Sequence, residues 1–328
     1  MKLLILGGTE FVGRALTDEA LARDWQVTVF HRGRHQPPPG VTALHGDRLE
    51  AGGLAALETG EWDLVVDTWS GAPSAVRAAA RLLAGRAGRY VYVSSRSVYR
   101  DPGPTDQTEH APLVDAAPDL GEVEYAQAKR GGELAAEESF GDRALLVRAG
   151  LILGPWENIG RLPWWLLRMA RGGKVLAPGP ENSGIQYIDV RDLATWTLDA
   201  AERGLGGPYN LVGPPGHSTM GELLRACAEV TGSDAELCWT DPESVLAAGV
   251  QPWTDLPVWL PPGELHDTIH GGSVDKALAA GLRCRPVGET VADTWQWLRG
   301  LDGPPPQRTD RPAVGLDPEV EAAILRGA

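Results

Sequence analysis

The chain has 328 residues, of which 43% are hydrophobic, enough for about two globular domains with buried cores. Its formal net charge of −14 argues against binding that depends on neutralising phosphates, and no basic run offsets this charge. We therefore expect neither nucleic acid nor an anionic membrane surface as a partner, and expect a small-molecule substrate instead.

The cysteines, the histidines and the N-terminal segment indicate whether the protein binds a metal and where in the cell it is found. The cysteines, Cys227, Cys238 and Cys284, are few and widely spaced, which is typical of the reducing cytoplasm. His266 and His270 lie four residues apart without an evident third ligand, so no metal site is expected. The N-terminal "MKLLILGG" has a short apolar run that ends at glycines, which predicts a buried strand rather than a signal peptide. No stretch approaches the roughly 18–20 apolar residues of a membrane span, so a cytoplasmic protein is expected.

The first half of the chain alternates between strand-like and helix-like segments. Apolar and β-branched runs predict strands at 2–6, 26–32, 41–47, 62–69, 89–95 and 143–152. Apolar positions at helical spacing predict helices at 11–23, 74–85 and 125–139. Strand–helix alternation with short connections is typical of an α/β fold, a doubly wound parallel sheet with helices on both faces.

The second half has a different texture, because Gly, Pro and Trp become frequent after Pro155. Residues 184–204 are predicted to form a strand and a helix that return to the first sheet, with further helices at 219–232, 273–282, 287–300 and from Pro318. We therefore expect a sheet domain over 1–155 with 184–204, and a smaller, mostly helical substrate-binding cap domain and tail over 156–183 and 205–328. Tryptophans such as Trp165 and Trp259 either pack the cap or line a substrate pocket.

The segment "LGGTEFVGR" (6–14) joins the first predicted strand to the first helix. Gly7 permits a tight turn, Gly13 permits close packing of helix on strand, and the helix N-terminus offers N–H groups to a pyrophosphate. Such a turn also occurs for packing alone, but its place in an alternating chain favours a dinucleotide. The predicted cofactor contacts are Gly7, Thr9, Glu10, Phe11, Val12 and Gly13. Glu10 occupies the place of a middle glycine, so we expect its side chain to turn away from the phosphates.

Charged residues after the second and third strands indicate which cofactor binds. An acidic residue at the end of the second strand would bind the ribose 2′-hydroxyl of NAD, but "FHRGRHQ" (30–36) contains none. Arg32 and Arg34 in this loop suit a 2′-phosphate, which predicts NADP, with NAD as the alternative. In "GDR" (46–48), Asp47 either accepts a hydrogen bond from the adenine amino group or serves the turn, and Arg48 would stack nearby.

The predicted helix at 125–139 places Tyr125 and Lys129 one turn apart on the same face. Taken alone, this pair is either a catalytic couple or an ordinary surface pair. Its neighbours in the chain favour the first, because "GGTEFVG", "YVYVSSRSVY" (90–99), the Tyr125–Lys129 pair and "QYIDVRDLA" (186–194) follow one another in order. Over roughly residues 1–300 the chain resembles the extended short-chain dehydrogenase/reductase superfamily, the NAD(P)-dependent epimerase/dehydratase group.

The resemblance implies a Rossmann fold and a Ser–Tyr–Lys mechanism. The serine would be Ser95, which orients the substrate carbonyl or hydroxyl for hydride transfer to or from the nicotinamide. Tyr125 would be the general acid and base, and Lys129 would favour its phenolate form and bind the nicotinamide ribose. The resemblance also implies a homodimer that pairs the helices after the fourth and fifth strands into a four-helix bundle.

Four positions limit the expected reaction. Arg96 and Ser97 stand where the dehydratases of this group carry an Asp–Glu pair, which argues against elimination of water. Ile185 and Leu151 stand where the nucleotide-sugar epimerases carry residues that bind the diphosphate. We therefore expect a NADP- or NAD-dependent reductase or dehydrogenase that acts on a small carbonyl or alcohol. The alternatives are a sugar or nucleotide-sugar epimerase and a non-catalytic relative that binds NADP or RNA.

Overall fold

The structure, a computed structural model, describes residues 1–101 and 103–327. Its strands are β1 (Lys2–Leu6), β2 (Gln26–His31), β3 (Thr42–His45), β4 (Trp62–Asp67), β5 (Ala87–Ser95), β6 (Ala144–Ala149), β7 (Leu151–Leu153), β8 (Lys174–Pro178), β9 (Gly184–Ile185), β10 (Tyr187–Asp189), β11 (Gly207–Leu211), β12 (Ser218–Thr219) and β13 (Glu236–Thr240). Its helices are α1 (Phe11–Ala22), α2 (Pro73–Leu83), α3 (Tyr125–Phe140), α4 (Arg161–Ala170), α5 (Val190–Glu202), α6 (Met220–Thr231), α7 (Pro242–Ala247), α8 (Glu264–His270), α9 (Asp275–Ala279), α10 (Val287–Arg299) and α11 (Pro318–Gly327). None of the described helices has the length and apolar character needed to cross a membrane.

The chain forms two compact units, each made of separate stretches of sequence. The first unit contains Met1–Gly150, Val190–Val212 and Ser273–Arg283. The second unit contains Leu151–Asp189, Gly213–Gly272 and the chain from Cys284 onward. The segment 184–204, whose strand was expected to join the first sheet, is divided between the units: β10 pairs with β7 in the second, whereas α5 belongs to the first. Pairing with β7 satisfies backbone groups on one side of this buried three-residue strand, and the carbonyl of Tyr187 accepts the N–H of Gly213 at 2.8 Å.

The first unit is built on a parallel sheet. Within the described residues, seven strands lie in the order β11-β6-β5-β4-β1-β2-β3, and every neighbouring pair is parallel. Runs such as "KLLIL" in β1 and "YVYV" in β5 are apolar on both faces, as strands buried between two helical layers require. The predicted doubly wound α/β fold is confirmed. The edge strand β11 ("GPYNL") was not predicted, because it opens with a turn-like Gly–Pro and is short.

Gly150 interrupts the strand predicted at 143–152. β6 ends at Ala149 and β7 starts at Leu151, so that the first lies in the large sheet and the second belongs to the second unit. A Cβ at Gly150 would lie 2.6 Å from the side chain of Val212, so the backbone here approaches the end of β11 too closely for a side chain. This close approach marks the point where the chain leaves the sheet.

Helices cover both faces of the sheet in the first unit. α2 and α3 pack together over a core that includes Tyr90, Ala79 and Ala135. α1 and α5 also pack together, and Arg23 after the end of α1 lies 2.8 Å from Asp199 of α5. The alanines of α2 and α3 therefore pack against the sheet, since small side chains let helices approach it closely.

Two adjacent glycines let α3 lie close to its neighbours. A Cβ at Gly131 would be 2.5 Å from Cγ of Pro73 and 2.7 Å from the carbonyl oxygen of Ala117. A Cβ at Gly132 would collide with the phenol of Tyr92. Glycine in a helix interior costs roughly 1 kcal/mol relative to alanine, so close packing of α3 has to offset the cost of this pair.

A buried polar network joins α3 to β5 and β6. The carboxylate of Glu133 is fully buried and accepts hydrogen bonds from Ser94 and Arg130, both at 2.8 Å. Arg148 of β6 binds the same carboxylate through two nitrogens, at 2.8 and 3.0 Å. Arg148 also donates to the phenol oxygen of Tyr99 at 3.1 Å. Buried charges are tolerated when they are paired and hydrogen-bonded in this way, so the network fixes the position of α3 on the sheet.

The second unit has its own core, which is rich in tryptophan. Within it β8 pairs with β13, β9 pairs with β12, and α4, α6 and α10 pack on one another. Trp165 and Trp259 are almost fully buried, and their indole N–H groups donate to the carbonyl oxygens of Pro257 and Gly179. Trp164 is partly buried against the same core. These tryptophans therefore pack the unit, which is the first of the two predicted alternatives.

A buried carboxyl group lies just before α4. Glu157 is fully buried, and its two oxygens accept the backbone N–H groups of Arg161 at 2.8 Å and Leu162 at 3.2 Å. Burial raises the pKa of Glu157 from 4.5 to about 7, although the charge of Arg161 and the two N–H groups oppose the shift. The folded state therefore binds this proton more tightly than the unfolded chain does.

Stability should consequently fall as pH rises through the pKa of Glu157. Its contribution is fully present below about pH 4.5 and is lost by the time pH has passed about 7, a change of about 3 kcal/mol in the free energy of unfolding. Urea unfolding between about pH 5 and pH 8 should show a steeper decline for the wild type than for Glu157→Gln, which has no proton to lose. Parallel pH profiles for the two proteins would contradict this prediction.

Candidate active and cofactor site

The loop after β1 brings backbone N–H groups to the carboxyl edge of the sheet. Gly7 and Gly8 have φ values of 121° and 84°, a region that favours glycine. A Cβ at Gly13 would lie 2.5 Å from the backbone nitrogen of Gly8, so α1 packs as closely on the end of β1 as the sequence predicted. Glu10 precedes α1 with extended backbone, and its side chain makes no capping bond. The first N–H groups of α1 are thereby left for a ligand.

Glu10 turns outward, as expected from its charge. Its side chain is 48% exposed, and its carboxylate lies 3.4 Å from Nε2 of His35. The adjacent Phe11 is buried with a φ of 33°, whereas Thr9 and Val12 are half-buried. The outward orientation of Glu10 removes the electrostatic objection to a phosphate at this loop.

The end of β2 carries an unpaired basic loop and a buried histidine. Arg32 and Arg34 are exposed, and neither forms a hydrogen bond or ion pair with any residue that the structure describes. His31, the last residue of β2, is 8% exposed, and its Nε2 atom is buried without a hydrogen-bond partner in the described chain. Its ring lies 4.6 Å from that of His45. Sequence reasoning missed His31, although its position at the end of the second strand, where an acid was sought, was a usable signal.

The side chain of Arg48 is buried at the carboxyl ends of the strands and does not extend into solvent. Its Nη1 atom is 3.1 and 3.0 Å from the two carboxylate oxygens of Asp67, which ends β4. Its guanidinium packs 5.0 Å from the ring of Trp69. The Tyr90 hydroxyl donates to the Asp67 carboxylate at 2.6 Å. Burial and the Asp67 charge raise the pKa of Tyr90 well above its ordinary value, so the phenol stays protonated and continues to donate.

Asp47 and Arg48 therefore have partners of their own in the protein. Oδ1 of Asp47 accepts the N–H of Leu49 at 3.1 Å, which is the turn required by one of the two predictions for this residue. Arg48 stacks on the indole of Trp69, and its Nη2 atom is buried without a partner among the described residues. A contact of either side chain with adenine stays a prediction.

The helix α3 carries Tyr125 and Lys129 to the carboxyl ends of β4 and β5. Lys129 is 3% exposed, and its ammonium donates to the carbonyl oxygens of Trp69 at 2.6 Å and Val93 at 2.7 Å. The ammonium also lies 4.9 Å from the ring centroid of Tyr92. Tyr125 is the first residue of α3 and is half-buried, one turn before Lys129. The predicted pair is thus held at the sheet edge and not on an open helix surface.

Ser95 ends β5 at the same edge, two residues after the Val93 carbonyl that binds Lys129. Its hydroxyl caps the 3-10 turn that follows it: it accepts the N–H of Ser97 at 3.1 Å and lies 3.1 Å from the Ser97 hydroxyl. Ser95 therefore has local partners with which a substrate oxygen would compete.

This edge of the first unit fits a dinucleotide cofactor. A Cβ at Gly13 would collide with the backbone of Gly8, so glycine lets α1 start close to the turn, where its first N–H groups can bind a pyrophosphate. Buried nitrogens of His31 and Arg48 lack partners in the described chain. Such donors cost free energy unless a ligand or water satisfies them. The carboxyl ends of parallel strands meet at one edge of the sheet. This edge therefore carries the predicted cofactor and catalytic residues, which follow or pack on the strand ends: the glycine loop, Arg32, Arg34, Ser95, Tyr125 and Lys129.

Two known proteins are similar to this chain in sequence. The chloroplast stem-loop binding protein of 41 kDa b from Arabidopsis thaliana is 27% identical over 255 residues, which are 70% of this chain and 63% of that protein. The epimerase family protein SDR39U1 from Bos taurus is 28% identical over 265 residues, which are 72% of this chain and 82% of that protein. The chain thus spans less than two thirds of the length of the plant relative.

A solved structure and a family model extend the comparison. The crystal structure of UDP-glucose 4-epimerase from Thermus thermophilus in complex with NAD matches with a TM-score of 0.62 and 22% identity, covering 92% of this chain and 99% of that one. At this identity the likeness shows a shared fold. The family model for the NAD dependent epimerase/dehydratase family matches residues 3–212, more than half of the chain. The chain therefore belongs to the NAD-dependent epimerase/dehydratase family.

Proposed function

We propose that this protein is an NADP-dependent oxidoreductase that transfers a hydride between the nicotinamide and a small carbonyl or alcohol. The observation that supports this most directly is the placement of Lys129, whose ammonium is bound by the carbonyl of Val93 in β5 and by that of Trp69, two residues after β4. Tyr125 lies one turn away on α3, and Ser95 follows one of those carbonyls by two residues. A proton donor, a fixed positive charge and a hydroxyl thus lie at the edge where such sheets bind dinucleotides.

Each of the three side chains has a distinct role in this proposal. Tyr125 exchanges a proton with the substrate oxygen. Lys129 favours the phenolate, since an ammonium one helical turn away stabilises negative charge, and it contacts the nicotinamide ribose. Ser95 donates a hydrogen bond that orients the substrate oxygen. The nicotinamide, when bound, would supply or accept the hydride.

Support for NADP comes from Arg32 and Arg34. Both are exposed and have no partner in the described chain, on the loop after β2 where such folds bind the adenosine ribose. Guanidinium groups bind phosphate oxygens through paired hydrogen bonds. NAD is the alternative, because the family is named for NAD and the Thermus thermophilus structure contains it.

Support for a small substrate comes from Ile185. By the resemblance stated above, Ile185 stands where nucleotide-sugar epimerases carry an arginine that binds the substrate diphosphate. Ile185 is 2% exposed and packs in the core of the second unit. An apolar, buried side chain offers no hydrogen bond to a diphosphate. A sugar epimerase is the second candidate, because the family and the bovine relative are named as epimerases. Such an enzyme would retain its cofactor and show no net consumption of NADPH.

Binding of RNA without turnover is the third candidate, and the observation that favours it is the name of the Arabidopsis thaliana relative. The net charge of −14 argues against it, since RNA binding relies on neutralising phosphates. A protein of this kind would bind a stem-loop RNA equally well as the wild type and as Tyr125→Phe.

We also propose a homodimer that pairs α2 and α3 with the same helices of a second copy. These helices lie side by side, and Arg77 and Arg81 of α2 both pair with Glu138 of α3, at 2.8 and 2.6 Å. Glu138 offsets one of these two positive charges, so less charge opposes a self-complementary contact. A cytoplasmic location stays a prediction from the cysteine count.

Replacing Tyr125 by phenylalanine should lower kcat by about 100-fold or more, because general acid–base catalysis contributes roughly 10²–10⁴-fold. A panel of aldehydes, ketones and imines, followed at the NADPH absorbance, would first identify a substrate of the wild type. Tyr209→Phe is the matched control, since Tyr209 is a buried tyrosine on β11 outside the proposed machinery. Unchanged turnover in Tyr125→Phe would rule out the proposed mechanism.

Replacing Arg32 and Arg34 together by alanine should weaken NADP binding by about 100-fold, because hydrogen bonds to charged groups contribute roughly 1.5–3 kcal/mol each. Binding of NAD should change by less than about threefold, since NAD has no 2′-phosphate. Dissociation constants from calorimetry would test both statements, with the exposed Arg299→Ala as a control for the loss of surface charge. Equal losses for NADP and NAD would contradict the predicted preference.

A further inference from the structure

His31 lies beside the glycine loop. The carbonyl of the preceding residue, Phe30, accepts the N–H of Gly7 at 3.0 Å, so the end of β2 is tied to the first turn of the loop. On the other side His31 is paired with His45 in the register of β2 and β3. The imidazole is therefore held at the strand end where Rossmann folds bind the adenosine ribose.

The hydrogen bonds of His31 determine which ring nitrogen carries the proton. Its Nδ1 atom lies 3.2 Å from the backbone nitrogen of Gly33 and accepts that N–H. A neutral imidazole that accepts at Nδ1 carries its proton on Nε2. The Nε2–H group is therefore a donor, and it is buried without an acceptor among the described residues.

The surroundings keep this imidazole neutral. Burial lowers the pKa of His31, and two neighbouring histidines lower it further. The charged groups of this corner are Arg32 and Arg34, both exposed, and Glu10, whose carboxylate is 3.4 Å from His35. A neutral N–H donor can bind the oxygen of a hydroxyl as well as that of a phosphate, since both accept hydrogen bonds.

We propose that Nε2–H of His31 donates a hydrogen bond to the oxygen on the 2′ carbon of the adenosine ribose, in the hydroxyl of NAD and in the phosphate of NADP. This rests on the function proposed above, because it requires a dinucleotide at the glycine loop. His31 then binds both cofactors, and Arg32 and Arg34 supply the charge that distinguishes them. The ligand oxygen recovers the free energy that a buried donor loses when it has no partner.

Glutamine and methionine at position 31 separate the hydrogen bond from the shape of the side chain. The amide of His31→Gln places an N–H near the position of Nε2, whereas His31→Met has a similar length and no donor. Dissociation constants of the wild type and both variants would be measured by calorimetry. The three ligands are NADP, NAD and the analogue of NAD whose adenosine is 2′-deoxy.

His31→Met should weaken binding of NADP and NAD by about 5- to 10-fold each, the usual effect of one lost hydrogen bond. His31→Gln should stay within about twofold of the wild type because it keeps a donor. The 2′-deoxy analogue should bind all three proteins equally, since it has no oxygen to accept the bond. The effect of His31→Met should persist at high salt, where the contribution of Arg32 and Arg34 is screened.

Equal affinity of the wild type and His31→Met for both cofactors would overturn the role of His31 and leave the proposed function standing. An equal loss with the 2′-deoxy analogue would also overturn it, because that result marks a structural effect. Absence of binding of all three ligands to the wild type would overturn the proposed function and the role of His31 together. A ¹⁵N spectrum of the free wild type tests the tautomer directly: His31 should be protonated at Nε2, and protonation at Nδ1 would overturn the proposal.

Discussion

The buried ammonium of Lys129 is the contact on which the candidate site depends. A charge in such a position costs free energy unless its donors are satisfied, and the carbonyl oxygens of Trp69 and Val93 satisfy it at 2.6 and 2.7 Å. Because the Val93 carbonyl lies in β5 and the Trp69 carbonyl follows the end of β4 by two residues, one side chain holds α3 near the carboxyl ends of both strands. That contact fixes α3 and hence Tyr125, one turn earlier, whereas Ser95 is held at the end of β5 by its pairing with Ala149 of β6.

The residues after Lys129 support its placement. Gly131 and Gly132 let α3 lie close to its neighbours. Two glycines lower the stability of a helix, and in an exposed helix no tertiary contact would compensate for that loss. Glu133 then anchors the same turn through Arg148 of β6. The two glycines and the buried carboxylate are each unfavourable alone, and they are tolerated because tertiary contacts compensate for them. The segment "KRGGE" thus positions the site as well as forming part of it.

At the carboxyl edge of the sheet, where the cofactor is expected, the sequence predicted the general features of the fold. It did not predict which side chains contact one another there. The glycine turn, the parallel sheet and the family resemblance are confirmed, because they depend on local spacing and on periodic apolar residues. The outward turn of Glu10 followed from charge alone. The position of His31 at the end of β2 was a usable signal, but its contacts and those of Arg48 could not be derived. The contacts of His31 depend on the amide of Gly33 and on burial, and those of Arg48 depend on Asp67 at the end of another strand.

The sequence by itself determined the fold class, the family and the spacing of Tyr125 and Lys129, because periodic apolar segments and short motifs in a given order are visible along the chain without knowledge of which residues meet in space. Only the tertiary structure decided where 184–204 divides, which tryptophans are buried and which donors lack partners. These properties depend on side chains that are far apart in sequence and meet only after folding. Burial then sets the free-energy cost of an unpaired donor or charge, and no local pattern in the sequence records it.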